Sequence, residues 1–174
     1  IDRVTQGRKA SIIDVGGGAS RLVDRLLDRP SNEVTVLDLS GAALREAQVR
    51  LGEGARRATW IEGDILNVDL PKEAYDVWHD RAVFHFLTTE EERHAYVEQV
   101  LRAVKQGGLV IVATFAEDGP DRCSGLPVQR YSAEGLHAEF GEPFVLLGHE
   151  KESHHTPGGS EQKFVYCFCR KVAS

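Results

Sequence analysis

The sequence predicts an α/β fold: a doubly wound, mostly parallel seven-stranded sheet that ends in an antiparallel strand pair. Two observations predict it. Short β-rich runs alternate with helical stripes as far as residue 115, the pattern of a parallel sheet with helices on both faces. In the last third, two β-rich runs follow each other with no helical pattern between them, so they pair antiparallel at the sheet edge.

Residues 10–15 form the first strand, which carries Asp14 near its end and runs straight into Gly16, Gly17 and Gly18. Leu22, Val23, Leu26 and Leu27 then mark one face of a helix. Residues 33–37 are the second strand, ending at Asp38, and Ser40 caps a helix through residue 50 with Leu44, Ala47 and Leu51 on its buried side. Residues 58–62 are the third strand and residues 75–79 the fourth. Thr88 and Glu91 have the spacing of a capping box, and Val97, Val100, Leu101 and Val104 supply the apolar stripe of the helix it opens. A turn at residues 106–108 leads into residues 109–115, an almost wholly apolar strand suited to the middle of a sheet. Residues 132–140 are a short helix closed by Gly141. Residues 144–149 and 163–170 are the final strands, joined by a polar loop containing Pro157, Gly158 and Gly159.

Bulk properties suit one domain. The chain has 174 residues, 41% of them hydrophobic and 28% charged, and the whole of it reads as one domain. A net charge of −6 provides no basic field for phosphate backbones, which argues against nucleic acid as the main partner. No apolar run reaches the roughly 20 residues that span a bilayer, and no signal peptide is visible. Cys123, Cys167 and Cys169 lack metal-ligand or redox spacing and read as reduced, cytosolic thiols. The chain opens at Ile1 and contains no methionine, which implies an upstream segment in the natural protein.

The glycine turn points to a nucleotide-like cofactor. Missing side chains let a ligand approach bare backbone, and the helix start offers free N–H groups. In an open α/β sheet the ligand lies at the carboxyl ends of the strands, where Asp14, Asp38 and Asp64 follow one another. Asp38 lies 22 residues past Gly16, the distance for a carboxylate that accepts from both ribose hydroxyls. Dinucleotide folds share that acid but do not require one after strand three. Asp64 is placed to accept from an exocyclic adenine amine while the Ile65 backbone N–H reaches a ring nitrogen, with Leu39 and Ile65 sandwiching the adenine.

These residues resemble the class I S-adenosylmethionine-dependent methyltransferases, which have a Rossmann-like fold. The resemblance rests on the Asp14–Ser20 run, Leu37-Asp38-Leu39-Ser40, Glu62-Gly63-Asp64-Ile65, the stretch from Tyr75 to Asp80, the Val104–Leu109 turn and the closing strand pair. It implies S-adenosylmethionine as cofactor and methyl transfer to a nucleophile, with release of S-adenosylhomocysteine. It implies that Asp14 helps hold the methionine ammonium. Ser20 stands where the family has its third glycine, and its hydroxyl is available to the cofactor. The family's usual helix before strand one is absent from this sequence, so the site is expected to be open on one side. The run from Trp78 to Phe86 also looks like a subgroup that includes protein-lysine methyltransferases, leaving a protein lysine or a small molecule as acceptor.

Asp80 and Arg81 follow strand four at the mouth of the transfer site. Either their backbone carbonyls hold the ammonium or their side chains form a structural ion pair. His85 and Asp80 are the candidates for acid–base catalysis, against a packing role for His85. His154, His155 and Thr156 read as an exposed polar loop, and no ligand set for a metal is present. The long 117–131 loop reads as part of the acceptor pocket. The alternatives are a non-catalytic S-adenosylmethionine-binding module and an NAD-dependent oxidoreductase; oligomeric state is not legible.

Overall fold

A seven-stranded sheet organises the chain, in a computed structural model that describes residue 1, residues 8–155 and residues 161–172. Its strands are β1 (Ser11–Val15), β2 (Glu33–Asp38), β3 (Ala58–Glu62), β4 (Tyr75–Arg81), β5 (Val104–Phe115), β8 (Phe144–His155) and β9 (Glu161–Lys171). The spatial order is β3-β2-β1-β4-β5-β9-β8. β1 to β5 pair parallel, while β9 runs antiparallel to both β5 and β8.

Two helix pairs cover opposite faces. Helices α1 (Leu22–Leu27) and α2 (Gly41–Leu51) bury Val23, Leu26, Leu27 and Leu44 against Ile12, Val36, Val77 and Ile111. Helices α3 (Glu90–Ala103) and α4 (Ala133–Phe140) bury Tyr96, Val100, Leu136 and Phe140 against Ile13, Val15, Trp78 and Val110. Alternation along each strand divides these sets: Ile12 goes to one face and Ile13 to the other.

Several boundaries differ from the sequence reading for local reasons. The capping box sits one residue later: Thr89 accepts from Glu92 N–H, and the Glu92 carboxylate accepts from Thr89 N–H. The turn at residues 106–108 lies inside β5 as a bulge, where the register steps from Tyr75 opposite Val104 to Val77 opposite Leu109. Gly107, at φ +74°, makes that step. The 117–131 loop contains a two-stranded hairpin, β6 (Arg122–Cys123) and β7 (Leu126–Pro127). Its corner, Ser124 and Gly125, has positive φ at both positions, matching a turn of the primed class. β4 runs two residues further than expected, and β8 and β9 are longer than read. His154 and His155 therefore lie on β8, not in a loop; Thr156, Pro157, Gly158 and Gly159 lie outside the described residues.

Candidate functional site

Three parallel strands bring the predicted acids and glycines to one end of the sheet. Gly16 N–H donates to Leu37 O at 2.7 Å, which ties the glycine turn to β2. Gly16 has φ +71°, a conformation that favours glycine. A Cβ on Gly17 would lie 2.5 Å from Asp14 Oδ2, and a Cβ on Gly18 would lie 2.5 Å from Asp38 Oδ2. Two carboxylates thus flank a strip of bare backbone.

Asp14 is 2% exposed. Its Oδ1 lies 2.7 Å from His79 Nδ1, and its buried Oδ2 has no partner among the described residues. The pairing follows from register, since Asp14 stands opposite His79 across β1 and β4. Asp38 Oδ1 accepts from Ser40 N–H at 2.8 Å. Ser20 Oγ accepts from Leu22 N–H at 3.1 Å, so that hydroxyl is engaged locally.

Beyond β2, Asp64 caps the turn after β3. It accepts from Leu66 N–H at 3.0 Å and from the Asn67 side-chain amide at 2.8 Å. Ile65 is buried in the core on the α3 side, and its carbonyl accepts from Gln99. Leu39 is 75% exposed, an apolar side chain left in solvent beside Asp38.

Strand alternation separates the residues at the end of β4. His79 and Arg81 face the α1 side, and Trp78 and Asp80 face the α3 side. The Asp80–Arg81 ion pair expected from sequence does not form, because neighbours on a strand point to opposite faces. Asp80 is fully buried. Its carboxylate accepts from Val83 N–H at 2.8 Å, Phe84 N–H at 3.0 Å and Tyr96 Oη–H at 2.5 Å. Those bonds hold a short 3₁₀ turn, Phe84–Phe86. Burial raises the Asp80 pKa to about 6, against the pull of the Tyr96 hydrogen bond.

Tyr96 also accepts from Trp78 Nε1–H at 2.9 Å, completing a buried Trp–Tyr–Asp chain. Tyr96→Phe leaves the Trp78 donor unpaired and removes one donor from Asp80. It is expected to cost roughly 1–3 kcal/mol of stability, measured by urea unfolding at pH 7. A loss below about 0.5 kcal/mol would show that the chain contributes little.

His85 is 0% exposed, between Phe86 and Phe115. Its Nδ1 lies 3.4 Å from the Phe115 backbone nitrogen, and its Nε2 has no partner among the described residues. Burial lowers its pKa to about 4, so it is neutral at neutral pH. The structure places both predicted acid–base residues, Asp80 and His85, inside the core.

A cleft of about 730 Å³ opens on the other face. Asp14, Gly16, Gly17, Ser20, His79 and Arg81 line it, together with Arg21, Arg25, Tyr166, Glu152 and His154. A larger groove of about 840 Å³ continues from it over the apolar half of the same sheet face, against Ile111 and Phe168. The smaller cleft contains Gly16 and Gly17 of the glycine turn and the carboxyl ends of β1 and β4, while Gly18, Asp38, Leu39, Asp64 and Ile65 do not line it.

Sequence reasoning missed His79, Tyr166 and Glu152. Their signal was alternation: His79 and Arg81 share a face on β4, as do Glu152 and His154 on β8. Among the described residues, no group of three or more His, Cys, Asp or Glu is arranged to hold a metal ion. Among those residues, too, no helix is long and apolar enough to cross a membrane.

Comparison with known proteins identifies the architecture. A family model for methyltransferase domains matches residues 12–108. A malonyl-[acyl-carrier protein] O-methyltransferase from Geobacter sulfurreducens is 32% identical over 109 residues, 62% of this chain and 39% of that protein; the match thus spans about two fifths of the relative's length. A SAM-dependent methyltransferase from Methanosarcina mazei superposes with a TM-score of 0.78 at 13% identity, covering 96% of this chain and 94% of the other. The N-methyltransferase NodS from Bradyrhizobium japonicum, in complex with S-adenosyl-L-homocysteine, gives a TM-score of 0.76 at 16% identity over 98% of this chain and 82% of its own. The family match covers more than half of the chain and runs from β1 through the bulge of β5, across the glycine turn and the strand-end acids: the chain belongs to the methyltransferase domain family, whose cofactor is S-adenosylmethionine.

Proposed function

We propose that this chain, as a single domain, transfers a methyl group from S-adenosylmethionine to an acceptor nucleophile and releases S-adenosylhomocysteine. The observation that carries the reading is the pair of carboxylates packed against Gly17 and Gly18. The unpartnered Asp14 Oδ2 suits a cationic ammonium, and Asp38 suits the ribose diol. A pyrophosphate, as in NAD, would meet the Asp14 carboxylate beside Gly17, which weighs against the oxidoreductase. Gly16, Gly17 and Gly18 supply close backbone approach, with Ser20 at the methionine end. Asp64, the Ile65 backbone N–H and the exposed Leu39 serve the adenine, the Ile65 side chain being buried in the core, and the Asp80 and Arg81 carbonyls are assigned to the ammonium.

The sulfonium is itself a strong electrophile. The protein's work is to set nucleophile and methyl in line, about 3–3.5 Å apart, and to exclude water. Asp80 and His85 are spent on the core, so we assign no general base. Calorimetry is expected to show micromolar binding of S-adenosylmethionine and none of NAD. Equal or reversed affinities would sink the cofactor assignment. Turnover, as S-adenosylhomocysteine release, is read against small-molecule O- and N-nucleophiles and lysine peptides. Such a panel spans the Geobacter relative's malonyl-acyl carrier protein and the N-methyltransferase neighbour. Cofactor binding with no release from any acceptor would favour a non-catalytic binding module.

Asp38→Ala is expected to reduce cofactor affinity by about 1.5–3 kcal/mol, the worth of charged hydrogen bonds. The fold should persist, since Asp38 is half-buried at a strand end. Unchanged affinity in a folded variant would count against the ribose assignment. We infer a cytoplasmic location, supported by the three free thiols, and no nucleic-acid partner, supported by the acidic net charge.

A further inference from the structure

We propose that the methyl acceptor is a small organic carboxylate whose carboxylate group docks on the Arg81 guanidinium. The proposal rests on the methyl-transfer reading and names the substrate class of that same site. Asp64 and Asp38 place the adenosine over β3 and β2, and Asp14 places the methionine end at β1 and β4. The next side chains along the sheet, from β4, β9 and β8, therefore stand on the acceptor side. They are Arg81, Tyr166, Glu152 and His154.

Arg81 is held before any ligand arrives. Its Nε–H donates to Tyr166 Oη at 2.9 Å, and its guanidinium carbon lies 4.4 Å from the Phe164 ring centroid. Its Nη2 lies 3.5 Å from Glu152 Oε1, with both side chains more than a third exposed, so that pairing is weak and screened. Nη1 donates to no described residue, and Arg81 lines the cleft. A planar guanidinium fixed at one edge and open at the other matches a carboxylate.

The surrounding charge agrees. The chain as a whole carries −6, yet this cleft collects three arginines. Arg21 and Arg25, on α1's side, are exposed and make no hydrogen bond or salt bridge to a described residue within 4 Å. The opposing carboxylates are Asp14, already against His79, and Glu152. One carboxylate beside Arg81 admits a monoanion more readily than a dianionic phosphate. Tyr166, which lines the cleft, offers an aromatic surface for the acceptor's apolar body.

The test uses benzoate, benzamide and phenyl phosphate as probes on the intact chain. Titrations are run with and without saturating S-adenosylhomocysteine. The readouts are the Arg81 Nε–Hε NMR signal and the dissociation constant. Benzoate is expected to move that signal saturably, and benzamide to bind at least about tenfold more weakly. Arg81→Gln is expected to weaken benzoate at least about tenfold in the cofactor-free titration. Benzoate binding that survives Arg81→Gln, equal binding of benzamide, or tighter phenyl phosphate would overturn the proposal. So would a loss of benzoate binding confined to Arg21→Ala and Arg25→Ala. The NMR signal reads the wild type directly, so a misfolded variant cannot hide the answer. Failure of S-adenosylhomocysteine to bind would instead sink the methyl-transfer reading, and the cofactor-free titration separates the two.

Discussion

Gly17→Ala is expected to lower S-adenosylmethionine affinity by about 100-fold, equivalent to about 2.8 kcal/mol, and to reduce stability by about 1–3 kcal/mol. The added Cβ would sit 2.5 Å from Asp14 Oδ2 and 2.8 Å from Val36 Cγ1. Neither can yield cheaply. Asp14 is buried and anchored to His79, and Val36 belongs to the core. If Asp14 turns away, the oxygen assigned to the ammonium moves with it. Gly52→Ala is the control. Gly52 has φ +56° and ψ −129°, a glycine-favouring conformation outside the left-handed helical region, but nothing within 4 Å of an added Cβ, so it should show only a backbone cost of roughly 1–3 kcal/mol, with cofactor affinity unchanged. Calorimetric affinity and urea unfolding on both variants make the comparison. Intact affinity in Gly17→Ala would remove the close-approach argument, and with it the reason for three glycines in sequence.

Features written in local chemistry were legible in the sequence. Ser40 caps its helix and Gly141 closes its own as read, because a cap and its helix adjoin. Asp14, the glycines and Asp38 were legible because a strand, a tight turn and the next strand end impose fixed spacing. Thr89 was misplaced as Thr88 because two threonines precede three glutamates, and only backbone geometry selects the pair. His79 was missed for a different reason. Its partner Asp14 is 65 residues away, and their meeting depends on the β1–β4 register. Arg81 depends still more on tertiary structure, since Tyr166 and Glu152 lie 85 and 71 residues from it. The far half of β8 was invisible to hydrophobic patterning because residues 149–155 are all exposed. His85 and Asp80 carried chemistry-bearing side chains next to a site. Only the alternation of β4 and the 3₁₀ turn reveal that both point into the core.

That pair of buried groups gives the last expectation: opposite pH dependences that cancel in the wild type. Burial raises Asp80 from 3.8 to about 6. Between those values the folded chain binds more protons than the unfolded one, so stability falls as pH rises. Burial lowers His85 from 6.5 to about 4. Between those values the unfolded chain binds more protons, so stability rises with pH. At about 1.4 kcal/mol per pKa unit, each group contributes about 3 kcal/mol over nearly the same window. The contributions of these two groups to the wild-type slope are therefore expected nearly to cancel between pH 4 and 6.5. His85→Phe keeps an aromatic ring between Phe86 and Phe115 but cannot titrate. Relative to the wild type, it should lose about 3 kcal/mol of stability from pH 4 to 6.5. Relative to the wild type, Asp80→Asn should instead gain about 3 kcal/mol across that window. Losing the 3.4 Å contact from Phe115 N–H shifts the His85→Phe curve without changing its slope. The surface carboxylates titrate alike in all three proteins and drop out of the differences. The decisive measurement is the slope of unfolding free energy against pH for each variant. A His85→Phe curve parallel to the wild type would mean that His85 is not held neutral by burial, and would reopen it as a group able to exchange protons.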